Sequence, residues 1–235
     1  MGTYGESKIG LVRKVNEDSF YISRDKNVLA VADGMGGYVG GEVASKTAVE
    51  AIAYYFKNFN SDSALQLEKA VQYANSSILS KTMIDPKLKG MGTTVSLVTL
   101  ARHQAYWAHV GDSRIYLYRD GELIQVSTDH TLVQVLVKRG KITEEEAANH
   151  PQRHVLTRAV GVDENLIVDS GSFVVKPKDR ILICSDGLTL FIHKDELRKA
   201  LSDYRHTERE IINDLFTHVY ENGAKDNVTA ILTTL

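Results

Sequence analysis

The sequence predicts an α+β sandwich: two packed antiparallel β-sheets with antiparallel helix pairs on their outer faces and a helical flap inserted near the middle. Three observations carry the prediction. Strand-like runs between residues 93 and 127 are joined by connections too short for crossover helices, so they pair antiparallel. Helical stretches come in pairs, before and after the strand blocks, and each sheet face must be covered by another layer. With only three prolines in 235 residues and no low-complexity stretch, the chain offers no linker. Residues 1–235 therefore read as one domain, long enough to bury a sizeable core.

In chain order, "DSFYIS" (18–23) and "NVLAVA" (27–32) are strands, the second nearly all apolar and so buried. The stretch "GEVASKTAVEAIAYYFKNF" then sets Val43, Thr47, Ala51, Tyr55 and Phe59 four apart, along one side of a helix. A second helix carries Leu67, Val71, Ala74 and Ile78, and Ser63 with Gln66 has the form of a capping box at its start. After Pro86 come strands at 93–101, 104–110, 114–120 and 122–127, the last two joined by an Asp-Gly hairpin signal. Residues 128–155 interrupt the sheet with two short helices, the second capped by Thr143 and Glu146. Strands resume at 166–175 and 179–185, helices follow at about 194–202 and 208–222, and a strand at 227–235 closes the pattern.

Composition excludes several classes. Apolar residues are 43%, charged residues 25% and the formal net charge −2, without the basic excess of a dedicated nucleic-acid binder. The single cysteine, Cys184, can form no intramolecular disulfide, and the first ten residues lack an apolar core of signal-peptide length. No apolar run reaches the length of a membrane span, and Glu6 stands where a myristoylation motif needs Ser or Thr. A cytoplasmic, unanchored protein is expected.

Four aspartates stand at the ends of apolar strands: Asp33 after "NVLAVA", Asp112 after "AYWAHVG", Asp186 after "RILICS", and Asp226 before "NVTAILTTL". Singly, each is an ordinary turn or loop cap, Asp33 and Asp186 as Asp-Gly pairs. Together, ionised carboxylates beside buried strands repel one another unless a cation lies among them, and oxygen-only ligands favour Mg²⁺ or Mn²⁺. The run "DGMGGYVGG", with five glycines between 34 and 41, fails both nucleotide motifs. Glu42 replaces the P-loop lysine, and Val39 replaces the third glycine of a dinucleotide fingerprint. Its glycines instead permit a tight turn and close backbone approach after Asp33. Leu190 stands where a C-x₅-R phosphatase would need arginine, so Cys184 reads as a small apolar packer. His130, His150 and His154 read as structural or merely exposed.

The segments "RKVNED" (13–18), "VADGMGG" (31–37), "GMGTT" (90–94), "GDSRIYLYRDG" (111–121), "CSDGL" (184–188) and "KDNVT" (225–229) resemble, in order and context, the PPM/PP2C metal-dependent serine/threonine phosphatases. "DGMGG" and "HPQRHVLTRAVG" are similar to the bacterial branch, and the likeness runs from about Gly10 to the C-terminus. The resemblance implies a binuclear Mn²⁺ or Mg²⁺ centre that activates water for direct in-line attack on phosphoserine and phosphothreonine monoesters. It implies that Asp33 bridges two ions, that the Gly34 carbonyl completes one shell, and that Asp186 and Asp226 hold the other. Asp18, with Glu17 beside it, would act in part through water. Asp112 with Asp186 matches a third, weaker ion site, Arg13 matches the phosphate-binding arginine, and Asn227 is a supporting residue. Arginine suits bidentate phosphoryl contact as lysine does not.

Many animal members carry His where Met35 stands, as a candidate proton donor. Here no dedicated side-chain acid is expected, with Tyr38 a weak candidate. The flap at 128–155 would bear on substrate choice and product release. Phosphorylated proteins are the expected substrates, opposite a cognate serine/threonine kinase, with no nucleic-acid or membrane partner. Three rival readings share parts of the site: a phosphatase dedicated to one regulator (an anti-sigma antagonist or a metabolic signalling protein), a catalytically inactive phosphoprotein-binding module, and a two-metal nuclease.

Overall fold

The computed structural model describes residues 2–59 and 63–235, and the side chains of residues 37–39 lie outside that description, Tyr38 among them. One sheet runs β2 (Asp18–Ile22), β3 (Val28–Met35), β5 (Val95–Ala101), β6 (Gln104–Val110) and β9 (Asp169–Val174), with the short β4 (Gly92–Thr93) paired to the end of β3. The other runs β1 (Gly2–Lys8), β11 (Val228–Thr234), β10 (Arg180–Cys184), β7 (Arg114–Arg119) and β8 (Glu122–Gln125). Every named pairing is antiparallel.

The strands read as apolar runs because both of their faces are buried, with alternate side chains entering different cores. On β3, Leu29 and Val31 point between the sheets, where they meet Ile115, Leu117, Ile181, Ile183 and Ile231. Val28, Ala30 and Ala32 point the other way, against α1 (Gly37–Asn58) and α2 (Ala64–Ile84). On the second sheet, Leu182, Cys184, Ala230 and Leu232 face α6 (Lys194–Ser202) and α7 (Glu208–Glu221). The layers are helix pair, sheet, sheet, helix pair, as the strand and helix order predicts.

Local signals are met in detail at several places. Asp120 and Gly121 both have positive φ, 51° and 86°, the conformation an Asp-Gly hairpin turn requires. Thr143 and Glu146 form the reciprocal capping box of α4 (Glu144–Ala148), which follows α3 (Leu132–Lys138) in the flap. Leu67, Val71, Ala74 and Ile78 are all buried on α2.

Four expectations need correction. Ser63 caps α2 by accepting from the Gln66 N–H, but the Gln66 side chain does not reach back, because its Oε1 accepts from Tyr55 Oη at 2.8 Å. Phe59 lies past the end of α1 and is exposed, since the four-residue spacing drifts off the buried face over four steps. The strand expected from 166 begins at Asp169. Helix α1 begins at Gly37, within the glycine run rather than after it, and β3 continues through Asp33 and Gly34 to Met35. Tertiary packing overrides propensity there: a Cβ on Gly34 would collide with the Gly41 carbonyl, and one on Gly41 would meet the Glu17 carboxylate. Strand β1 has no apolar alternation in the sequence; pairing with β11, from Gly2↔Thr234 to Lys8↔Val228, defines it.

Candidate metal centre

Antiparallel pairing brings the aspartates to one rim. Asp18 opens β2 directly opposite Asp33 on β3, and Asp112 follows β6. Asp186 follows β10 while Asp226 precedes β11, and those two strands pair with Cys184 against Ala230. The rim opens into a cleft of about 880 Å³ lined by Arg13, Glu17, Asp33, Gly34, Asp112, Asp186, Asp226 and Asn227, with Asp18 buried beneath.

Asp33 is fixed through its backbone. Its N–H donates to Thr94 Oγ1 at 2.9 Å, and its carbonyl accepts from the Thr94 N–H at 2.8 Å and Thr93 Oγ1 at 2.9 Å. Those bonds leave the Asp33 carboxylate free to face the cleft. Asp18 Oδ2 accepts from Ser185 Oγ at 2.7 Å, and Ser185 Oγ in turn accepts from the Thr229 N–H at 3.0 Å. Asp18 Oδ1 is buried with no hydrogen-bond partner among the described residues.

Electrostatics point the same way. Burial, then the charges of Asp18, Asp186, Asp112 and Asp226, raises Asp33 well above the usual carboxylate range. Burial chiefly, with neighbouring carboxylates adding, pushes Asp18 and Asp112 up to about 7. Such a cluster lacks positive charge at its centre, and the unpartnered Asp18 Oδ1 marks where acceptor capacity is unused. The donor set, oxygen throughout, fits hard divalent cations. Among the described residues no three His, Cys, Asp or Glu side chains are gathered closely enough to hold a metal ion by themselves. An open arrangement suits ions that retain several water ligands.

The loop over the cleft is tied down by Asn227. Its Nδ2 donates to the carbonyls of Ile9 (2.8 Å) and Val15 (3.1 Å), and its Oδ1 accepts from the Glu17 N–H at 2.8 Å. Arg13 Nη2 donates to Asp226 Oδ2 at 2.7 Å, which holds the guanidinium half-exposed at the mouth. Burial pushes Glu17 up.

Several residues at the cleft went unassigned in the sequence. Ser185 anchors Asp18, and Thr94 anchors Asp33. Arg153, His154 and Lys225 line the cleft and surround it with cations. His154, expected to be structural or merely exposed, stands 3.7 Å from Asp186, and that carboxylate raises its pKa. His130 is structural: its Nδ1 accepts from the Gly111 N–H at 3.1 Å, so Nε2 carries the proton toward Asp169. His150 caps a turn by accepting from the Gln152 N–H. Cys184 is fully buried in β10 and its thiol is pushed up to about 12, which fits packing rather than nucleophilic chemistry.

Fold and rim together define an α+β sandwich with an acidic cleft at one sheet edge, and comparison with known proteins gives its family. The family profile "Protein phosphatase 2C" matches residues 11–233. The chain is 39% identical over 227 residues to the serine/threonine protein phosphatase PstP of Mycobacterium tuberculosis, covering 95% of this chain and 43% of PstP. It is 35% identical over 231 residues to the serine/threonine phosphatase Stp of Listeria monocytogenes, covering 95% of this chain and 91% of Stp. The catalytic domain of PstP solved in complex with two manganese ions superposes with a TM-score of 0.88 at 36% identity, covering 98% of this chain and 96% of that one. The chain spans less than half the length of the mycobacterial relative. It belongs to the protein phosphatase 2C family.

Proposed function

We propose that this protein removes phosphate from phosphoserine and phosphothreonine in other proteins, reversing the action of a serine/threonine kinase in the cytoplasm, and that residues 1–235 act as one domain with 128–155 as its flap. One observation carries the reading: five aspartates meet at one rim, the central one, Asp33, raised by the other four, above a buried Asp18 oxygen that nothing among the described residues satisfies. Asp33, the Gly34 carbonyl, Asp186 and Asp226 would hold two ions, Asp18 would act through water, and Asp112 with Asp186 would hold a weaker third. Bound cations supply Lewis-acid charge that activates water and neutralises the phosphoryl oxygens.

The protein's own groups do the rest. Arg13 receives the phosphoryl group through a planar fork and yields part of its contact with Asp226 to do so. Asn227 keeps Arg13 and Glu17 over the cleft by holding the backbone on both sides of Arg13. Arg153, His154 and Lys225 draw anionic substrate to the mouth. No cysteine is used, consistent with the buried thiol of Cys184.

The test is hydrolysis of a phosphothreonine peptide with added Mn²⁺, with chelator, and in Asp186→Ala. Activity should require Mn²⁺ and fall at least ~100-fold in the variant. Activity that survives thorough chelation, or an Asp186→Ala enzyme as fast as the parent, would overturn the reading. Among the described residues, no helix is long and apolar enough to cross a membrane.

A further inference from the structure

Beside the cleft lies a second depression of about 430 Å³, and Met35 and Leu156 line both. Its aliphatic wall is formed by Val162, 56% exposed, and Ile167, 67% exposed, over buried Ala159 and Leu166, while Asp163 and Asn165 also line it. Scattered exposed aliphatics are ordinary on a protein surface, but a continuous apolar patch leading out of a polar cleft is not. Met35 and Val162 meet over Gly92, where a Cβ would come within 2.9 Å of Met35 Cε and 2.8 Å of Val162 Cγ2. The missing Cβ of Gly92 is what lets Met35 form the partition between cleft and groove.

The wall is held firmly although its side chains face solvent. Val160 and Thr93 exchange backbone hydrogen bonds at 2.8 and 3.0 Å. Asn75 accepts from the Gly161 N–H at 2.6 Å and donates to the Asp163 carbonyl at 2.8 Å, and Gln72 donates to the Leu166 carbonyl at 2.6 Å. Among the described residues Arg158 is the one cation of the groove and is taken by Asp169 at 2.6 Å, while Asp163, its one carboxylate, accepts from the Asn165 N–H. The groove is therefore preformed, with one continuous aliphatic side, and adjoins the reacting centre.

We infer that this groove binds an aliphatic side chain of the substrate protein within two residues of the phosphorylated serine or threonine, with Met35, Val162 and Ile167 as its specificity-determining contacts. The inference rests on the phosphatase reading above. An extended peptide advances about 3.3 Å per residue. A phosphoresidue in the cleft therefore carries its near neighbours across the Met35 partition. Met35 thus acts on substrate choice, at the position where many animal relatives carry histidine.

The experiment compares kcat/KM on one phosphothreonine peptide series with Mn²⁺, in which each position from −2 to +2 is in turn Val, Leu, Ser or Asp. The parent should prefer Val or Leu over Asp by ~10-fold or more at one of those positions. In Val162→Asp, and separately in Ile167→Asp, that ratio should fall toward one, while Val162→Ile keeps it. Both Asp variants replace exposed side chains, and circular dichroism with melting temperature reports whether they fold. If one does not fold, the other decides. A parent that cleaves every peptide at equal rates, or Asp variants that keep the parent's ratio, overturns the inference alone. A parent with no activity on any phosphopeptide overturns the phosphatase reading, and the inference with it.

Discussion

Asn227→Ala isolates the residue that holds the Arg13 loop. Three hydrogen bonds disappear: to the carbonyls of Ile9 and Val15 and from the Glu17 N–H. At about 1 kcal/mol each the sum is about 3 kcal/mol. Ile9 and Val15 are 37% and 40% exposed, so water replaces part of the loss at their carbonyls. A net cost of about 2 kcal/mol remains, which in a domain of this size lowers Tm by about 4–8 °C. Catalysis should suffer more than stability, because Arg13 is then held only by Asp226, and a misplacement of about 1 Å at a phosphoryl contact costs up to ~100-fold. The control is Arg119→Ala, which breaks the forked pair with Asp179 before the start of β10, at the end of that strand away from the cleft. It should destabilise comparably and leave kcat/KM on a phosphothreonine peptide unchanged at 20–30 °C below its Tm. If Asn227→Ala, assayed the same way, stays within ~3-fold of the parent, the tether is structural only and the reasoning fails.

Replacing Asp33 by Asn removes the central charge of the acidic rim. In the metal-free protein Asp33→Asn should raise Tm by about 4–8 °C, corresponding to about 2 kcal/mol of relieved repulsion and desolvation, and should abolish the Tm increase that Mn²⁺ gives the parent. A metal-free variant that melts below its parent would refute the placement of Asp33. The pH dependence has a defined sign. Asp18 and Asp112 titrate at about 7 in the folded, metal-free protein and at about 3.9 unfolded, so the folded state binds more protons between those values. The contribution of these two groups to the stability of the chelated protein is therefore fullest below about pH 4 and declines by a few kcal/mol as pH rises to about 7. With saturating Mn²⁺ the slope reverses, since protons compete with cations; denaturant midpoints across that range would detect either sign. Cys184→Ala should keep full phosphatase activity, and native Cys184 should resist iodoacetamide at pH 8 until the protein unfolds, as mass spectrometry would read.

What the sequence discloses follows from where its signals are local. Strands such as β3 and β10 are legible because both faces are buried, so the chain has to be apolar throughout. An aspartate within or beside such a run is conspicuous for the same reason, and Asp33, Asp112, Asp186 and Asp226 do share one rim. What is not legible depends on a partner distant in sequence. Strand β1 carries Gly, Glu and Lys without alternation, and only β11 makes it a strand. His154 in isolation is one more flap histidine; its place 3.7 Å from Asp186 comes from how the flap folds back, through Leu132 N–H to the Val155 carbonyl. Ser185 is an inconspicuous residue before Asp186 until β2 places Asp18 against its hydroxyl.

The glycine run shows how a correct local inference can have the wrong geometry. A tight turn with close backbone approach was expected after Asp33, and only Gly36, with φ 120°, uses a left-handed conformation among the described residues of that run. The closest approach is between β3 and the first turns of α1, where Gly34 packs on the Gly41 carbonyl and Gly41 on Glu17. Glycine is disfavoured in a helix by about 1 kcal/mol, so its presence at 41 is tolerated because any larger side chain at 34 or 41 would push α1 off the strand that carries Asp33. The same packing fixes the backbone on both sides of Met35, with Gly92 opposite it on β4. Met35 Cε therefore lies over Gly92 beside Val162, at the boundary of the apolar groove, and a thioether there can contribute packing but no proton.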